Sequence, residues 1–387
     1  MAYNEVVNER MPSSRSRKSF DIDWILLASV LLVSLVGLVT MNSFSSVDTH
    51  FEKQLVFLAL SVLVFFGLSF VDFRFLRRTS VVVWIFSLAT LLLLALFGLG
   101  KIAKGAQSWF SFGGFSLQPS DPMKIALIIL LSKYFSRRHI EIRHIRHIIV
   151  SGVYAFIVFI LVALQPDFGS AIIIFLIWLG MVLVSGLSKK HLALVLLIGA
   201  LAFGGLWQWG FKTYQKDRII NFFNPLQDIH GSGYNVFQAM VAVGSGQALG
   251  KGIGYGTQSK LKFLPEYQTD FIFAAYAEEW GYVGVILLFI AYGIIVWRVM
   301  TNAYRGETNF EILYGAGIAV FLMSHFIINA GMNLGVMPVT GITFPFMSYG
   351  GSHLLTEFAA LGILMGMRRH SSRPIHKTGM QNEFLGI

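Results

Sequence analysis

The 387-residue sequence contains no cysteine, which removes disulfides, thiolate metal sites and cysteine nucleophiles from consideration. Charge is scarce as well. Asp, Glu, Lys and Arg make up 13% of the residues against 55% hydrophobic, where a soluble chain carries roughly 25% charge. With a mean hydropathy of +0.66, the chain reads as an all-α polytopic membrane protein. Acid is scarcer than base: 20 Asp and Glu face 30 Lys and Arg, a formal charge of +10. In a soluble protein that excess raises the question of nucleic acid; here the placement of the charges answers it. No cleavable leader is expected either. The first apolar run, about Trp24 to Thr40, follows Arg10, Arg15, Arg17 and Lys18 and imitates a signal peptide, but no small-x-small site follows it. It reads as an uncleaved anchor.

Taking about 20 apolar residues as one crossing, ten spans are expected, near 24–41, 54–71, 80–99, 121–135, 148–164, 168–187, 190–210, 270–298, 312–333 and 346–367. An even number puts both termini on one face. The positive-inside rule makes that face cytoplasmic. It collects Arg74, Arg77, Arg78, Arg137, Arg138, Arg143, Arg146, Lys189, Lys190, Arg298, Arg305, Arg368, Arg369, Arg373 and Lys377, while the opposite short loops hold only Lys53, Lys101 and Lys104. The organisation is thus a basic tail over 1–23, a ten-helix membrane domain over 24–368, and a second tail over 369–387. Between the seventh and eighth spans lies a long extracytoplasmic segment, 211–269. It is too rich in aromatic and aliphatic residues for disorder and is expected to pack as a cap over the bundle.

Four constellations carry chemistry. In FLPEYQTDFIFAAYAEEWG, Asp270 stands where a polar loop becomes an apolar run. It reads either as an interfacial N-cap or as a functional carboxylate at the membrane. Thr269, with a capping hydroxyl one residue earlier, favours the second. In QPSDPMK, residues 118–124, Pro122 suits a first helical turn with Asp121 or Ser120 as cap. Lys124 lies one turn from Asp121 and reads as its neutralising partner or as a contact for an anionic group. In QPDFG, Asp167 reads as another cap or as a third acid converging with the others. The charge-free run MPVTGITFPFMSYGG, residues 337–351, describes irregular backbone tolerated at membrane depth only where protein buries it or a cavity borders it.

Other features carry less. GSGQALGKGIGYG fails the phosphate-loop pattern, with Ser245 where the first Gly must fall and Gly252 where Ser or Thr is needed, and reads as a pliable loop. His139, His144 and His147 are expected at lipid headgroups, since no zinc spacing occurs. His325 and Glu357 read as functional ions or as an internal pair.

Together FNPLQDIHGSGYNVFQAMVAVGSG, GKGIGYGTQSKLKFLPEYQTDFIFA, QPSDPMK, QPDFGSA and NAGMNLGVMPVTGITFPFMSYGG resemble the SEDS (shape, elongation, division, sporulation) proteins, and the wording NAGMNLGVMPVTGI is closer to the RodA, or elongation, branch. The resemblance implies a peptidoglycan glycosyltransferase of the bacterial inner membrane that polymerises lipid II into a growing glycan strand. It implies work with a class B penicillin-binding protein, other elongation-complex proteins and membrane lipids, and no nucleic acid. It makes Asp270 the essential carboxylate and general base, and puts Lys124, Asp121, Asp167, Gln118, Ser120 and Arg218 around the substrate. No organic cofactor is implied, although a divalent cation, magnesium or manganese, can assist the diphosphate. The rival reading is a flippase for the same lipid. Two positions depart from the family wording: Asp121 replaces Glu and precedes Pro122, and His353 stands where SYGGSS has its second Ser.

Overall fold

The computed structural model describes residues 22–43, 49–103, 106–112, 115–137, 145–223 and 233–371. Several expectations, those for Arg10, Arg15, Arg17, Lys18, Lys104, Arg138, His139, Arg143, His144, Arg373 and Lys377, lie outside the described residues. The chain runs through α1 (Trp24–Ser43), α2 (Thr49–Ser69), α3 (Thr79–Leu99), three short strands, α4 (Ser120–Ser136), α5 (Ile145–Leu164), α6 (Phe168–Val184) and α7 (Lys189–Gly205). It continues through α8 (Thr213–Phe223), α9 (Tyr234–Ser245), α10 (Thr257–Lys260), α11 (Ile272–Tyr304), α12 (Asn309–Asn333) and α13 (Gly351–Ser371).

All ten apolar stretches are helical. Among the described residues, α1, α2, α3, α5, α11, α12 and α7 with its continuation to Gly210 are long and apolar enough to cross a membrane. Helix α6 is apolar but has 17 residues, while α4 and α13 bury charge: Asp121 and Lys124 in one, Glu357 in the other. The centre is α4 and α12, most of whose residues are buried. Helix α7 has no buried residue.

The structure departs from the sequence reading at several points. Strands β1 (Lys101–Ala103), β2 (Ala106–Phe112) and β3 (Phe115–Leu117) form an antiparallel meander between α3 and α4, with Phe110 opposite Leu117 and Ser111 opposite Ser116. These residues sit outside the apolar runs, where β-branched and aromatic composition gave no clear period. The tenth span begins at Gly351, five residues later than expected, because residues 337–350 stay irregular. His147 is not at the surface; it is buried against the Tyr134 hydroxyl, 3.0 Å away.

The long segment caps the bundle through α9. Its apolar face, Ala239 and Ala242, packs with Leu264, Phe271, Ala274 and Ala275 at the start of α11. The Gly-rich run after α9 is a rigid clasp rather than a pliable loop. Helix α11 is broken at Gly281 (φ 64°, ψ −166°), and the amides and carbonyls released there are taken by the run. Tyr282 N–H donates to Gln247 O at 2.8 Å and Val283 N–H to Ala248 O at 3.1 Å, while Lys251 and Gly252 donate to the carbonyls of Glu278 and Glu279 at 3.0 Å each. The buried Glu278 carboxylate completes the clasp, accepting from Lys251 Nζ at 2.7 Å and from the Gln258 amide at 3.1 Å.

At the other end, the basic one, Asp23 ties three helices. Its carboxylate accepts from Arg298 Nε at 2.8 Å and Asn302 Nδ2 at 2.7 Å, caps the Leu26 amide at 3.1 Å, and lies 3.6 Å from Arg368. Arg77 meets Glu307 and Glu311 at 3.1 and 2.7 Å, and its carbonyl accepts from Lys133. Burial pushes the Asp23 carboxyl up, but the Arg298, Asn302 and Leu26 hydrogen bonds and the Arg298 charge outweigh it and hold the group below its ordinary range.

Two outcomes follow for stability. Gly281→Ala puts a Cβ at a φ and ψ open almost solely to glycine and against the Leu249 carbonyl carbon at 2.7 Å, so it is expected to lower stability by about 1–3 kcal/mol or more, read as the thermal midpoint in detergent. Because the folded pKa of Asp23 is depressed, its contribution is full above the unfolded value, about 3.9, and is lost as pH falls through the lower folded value. The midpoint should therefore drop more steeply below about pH 4 in the unaltered protein than in Asp23→Asn.

Candidate active site

The ends of α4, α6, α11, α12 and α13 remote from the Asp23 cluster meet at the irregular segment 337–350, and polar side chains on or beside them converge there. Helix α11 begins at Ile272 with Phe271 at the cap position, and Phe271 makes no side-chain cap. The amide of Ala274 is served from another helix, by Asn333 Oδ1 at 3.1 Å. Neither Thr269 nor Asp270 holds the cap position, which corrects the reading of Thr269. Its hydroxyl turns back to the Glu266 carbonyl and carboxylate, 3.3 and 3.1 Å away, closing the turn before the helix.

The backbone at 268–270 is pinned on successive carbonyls. Gln268 O accepts from the Tyr349 amide at 2.8 Å, Thr269 O from Ser348 Oγ at 2.6 Å, and Asp270 O from both Asn329 Nδ2 at 2.9 Å and Asn333 Nδ2 at 3.1 Å. The half-buried Asp270 carboxylate borders Gly341, where a Cβ would come within 3.6 Å of Oδ2 and where φ is +75°. A side chain there is strained by the backbone and would stand in contact with the carboxylate.

Residues 340–343 connect this carboxylate to the other acids. The Thr340 carbonyl and the Ile342 side chain crowd Gly169, two residues beyond Asp167. Ile342 O accepts from Asn329 Nδ2 at 2.6 Å, and Thr343 O lies 3.4 Å from His325 Nδ1. Asp167 is the N-cap of α6: Oδ1 accepts from the Ser170 amide at 3.1 Å, and Oδ2 accepts from Gln118 Nε2 at 2.8 Å. Gln118 and Ser120 join the neighbouring helices, Gln118 N–H donating to Ser352 Oγ at 3.1 Å and Ser120 Oγ lying 3.4 Å from Ser170 Oγ.

Asp121 and Ser120 are not caps. The cap position of α4 is Pro119 with no side-chain bond, so the Asp121 carboxylate is available to Lys124. The two are 2% exposed and 3.0 Å apart. Among the described residues, Asp121 Oδ1 is the one acceptor that Lys124 Nζ reaches, which leaves two of the three ammonium protons for an anion. The same Oδ1 lies 3.3 Å from His353 Nδ1. His353 Nε2 is 3.0 Å from Glu357 Oε1, an approach not aligned as a hydrogen bond, and the His325 ring lies 4.6 Å from that of His353. Glu357 Oε2 accepts from the Phe346 amide at 2.9 Å.

His325 and Glu357 thus belong to one buried cluster with the Asp121–Lys124 pair, which their spacing in sequence does not reveal. Arg218 sits apart from that cluster, exposed on α8 and 3.5 Å from the Val339 carbonyl. Sequence reasoning missed Asn329, Asn333, Ser348 and Gln54. Two asparagines four apart inside an apolar span were the available signal, since amides there have to be bonded. Gln54 accepts from Gly350 N–H at 3.2 Å and donates to Ser348 O at 3.1 Å.

The sequence pattern of the cell cycle protein family of FtsW, RodA and SpoVE matches residues 19–373. Stage V sporulation protein E of Bacillus subtilis is 34% identical over 359 residues, 90% of this chain and 97% of the relative. Peptidoglycan glycosyltransferase MrdB of Escherichia coli K12 is 36% identical over 287 residues, 74% of this chain and 77% of the relative. A solved structure described as structural coordination of polymerization and crosslinking by a peptidoglycan synthase complex superimposes with a TM-score of 0.80 at 29% identity, covering 92% of this chain and 99% of the other.

Removing the amide that serves both Ala274 and Asp270 should loosen the site. Asn333→Ala leaves a buried helix amide without its acceptor, and the expected loss is about 1–3 kcal/mol, measured as a lowered thermal midpoint in detergent.

Proposed function

The chain belongs to the FtsW, RodA and SpoVE family of cell cycle proteins, and from that premise we propose how its outer cluster acts. The protein is a RodA-like peptidoglycan glycosyltransferase embedded in the membrane. Its substrate is lipid II. The reaction forms a bond from the 4-hydroxyl oxygen of the acceptor sugar to the anomeric carbon of the donor. The bond from that carbon to undecaprenyl diphosphate breaks with its electron pair on the diphosphate, and the hydroxyl proton passes to Asp270.

One observation carries the assignment of Asp270. Phe271, not Asp270, holds the cap position of α11 and the Ala274 amide is served by Asn333, while the carbonyls of residues 268–270 are fixed by four side-chain and backbone donors. A carboxylate on so fixed a backbone beside a Cβ-less neighbour is suited to take a proton at a defined place. Lys124, 2% exposed and with one acceptor among the described residues, supplies positive charge where the leaving diphosphate develops negative charge. Asp121 orients Lys124, Asp167 with Gln118 and Ser120 shapes the wall, and Arg218 meets sugar or phosphate above it.

A resident divalent cation does not fit the donors. Asp121 faces a lysine and a histidine, Asp167 caps a helix, and no group of three potential ligands converges among the described residues. The steps above use none. The transpeptidase partner is a class B penicillin-binding protein, and the setting is the bacterial inner membrane with both termini cytoplasmic, during elongation. The charge asymmetry between the two faces supports that orientation.

The test is polymerisation of lipid II by the purified protein with its transpeptidase partner. Asp270→Asn is expected to abolish strand formation while keeping the fold and the complex, and Lys124→Ala to reduce it by about 100-fold or more. Equal polymerisation by unaltered protein and Asp270→Asn removes the general base. Lipid movement without bond formation by the unaltered protein supports a flippase.

A further inference from the structure

The cluster behind Lys124 contains a feature the reaction above does not use. Asp121 Oδ1 serves two donors, Lys124 Nζ at 3.0 Å and His353 Nδ1 at 3.3 Å, and Oδ2 has no partner among the described residues. His353 projects from the first turn of α13 and Glu357 lies four residues on, so its two ring nitrogens face carboxylates on two different helices. Asp121, His353 and Glu357 are each less than a tenth exposed. Two acids and two bases are therefore enclosed together, from α4 and α13, with the His325 ring of α12 against that of His353.

Geometry makes the histidine specific to the short acid. Asp121 is followed by Pro122, whose ring restricts the backbone before it, and its carboxylate ends one methylene closer to α4 than a glutamate's. A serine at 353 ends one bond sooner than the imidazole Nδ1 and has no second nitrogen to set toward Glu357. Glu357 in turn holds the amide of Phe346, a non-glycine residue at φ +62°, in the segment whose Gly341 borders Asp270. One side chain thus links the lysine's acid to the wall of the carboxylate proposed as base.

We propose that His353 is a positioning residue matched to Asp121, the pair together aiming the Lys124 ammonium at the anionic diphosphate of the substrate. This rests on the glycosyl-transfer reading of the site. The short acid and the imidazole meet directly in this chain, Asp121 Oδ1 lying 3.3 Å from His353 Nδ1. Changing one alone breaks the match. His353→Ser leaves Asp121 with Lys124 only and Glu357 facing no base, whereas Asp121→Glu forces a longer acid against the imidazole.

The test is a four-protein cycle in the full-length chain with its transpeptidase partner: unaltered, Asp121→Glu, His353→Ser, and both changes together. Lipid II is the probe, kcat and KM are measured separately, and the thermal midpoint of each protein is recorded. Each single change is expected to lower kcat about tenfold, and the double to return within about threefold of the unaltered value, a coupling of the size seen for side chains in contact. A rescue of the midpoint without a rescue of kcat makes the pair structural and overturns the proposal. Effects on kcat that multiply overturn it too. If the unaltered protein makes no glycan, the reaction reading fails by itself. The pairing of Asp121 with His353 is then judged by the midpoints, and additive shifts there dismiss it.

Discussion

A peptide amide or carbonyl taken from water without a partner costs several kcal/mol, and in lipid there is no water to make good the loss. The irregular segment 337–350 and the turn 266–271 bring many such groups to the mouth of a helical bundle. Their partners are side chains set aside for the purpose: Asn329 and Asn333 on α12, Gln54 on α2, Ser348 within the segment, and Glu357 on α13. Position follows from that pairing. Asp270 stands where it does because the carbonyls of 268–270 have nowhere else to be satisfied, and Gly341 lies beside it because the segment crosses there.

Both ends of the bundle bury charge. At the basic end Asp23 and Arg368 are buried, while Arg77, about a third exposed, is shared between the partly exposed Glu307 and the buried Glu311. At the opposite end Lys124, Asp121, His353 and Glu357 are almost wholly enclosed. A buried ion pair is weak evidence for stability, since desolvation consumes much of the attraction. Retaining several such groups within one bundle is easier to explain by work on a charged substrate than by folding.

Much of this was legible in the sequence. The ten apolar runs gave the helices, since 20-residue stretches leave little choice, and the motif residues Gln118, Asp121, Lys124, Asp167 and Asp270 all fall at one end of the bundle. Long-range pairing was not legible. Nothing in the letters says that Asn333, 59 residues after Ala274, caps its helix, or that His353 meets Asp121 across 232 residues. The Gly-rich run misled for a related reason. Glycines permit flexibility, but here they let two backbones approach closely enough to bond, Gly250 and Gly281 being the points of contact. In the small meander after α3, two of the three strands have only three residues and carry too little pattern to register.

The separation in sequence between Asp270 and its supports has a further consequence, in the order of biosynthesis. The donors to the backbone at 269–270 lie 59, 63 and 79 residues further along. At about 5–20 residues per second, a ribosome leaves that turn unsupported for a matter of seconds after it is made. Helix α11 must enter the bilayer before its first turn has an acceptor; the donors to residues 268–270 are complete once Tyr349 is made, and the Phe346 amide in the same segment finds its acceptor only with Glu357 of the last helix. The last support of that segment is therefore also the last part of the membrane domain to be made.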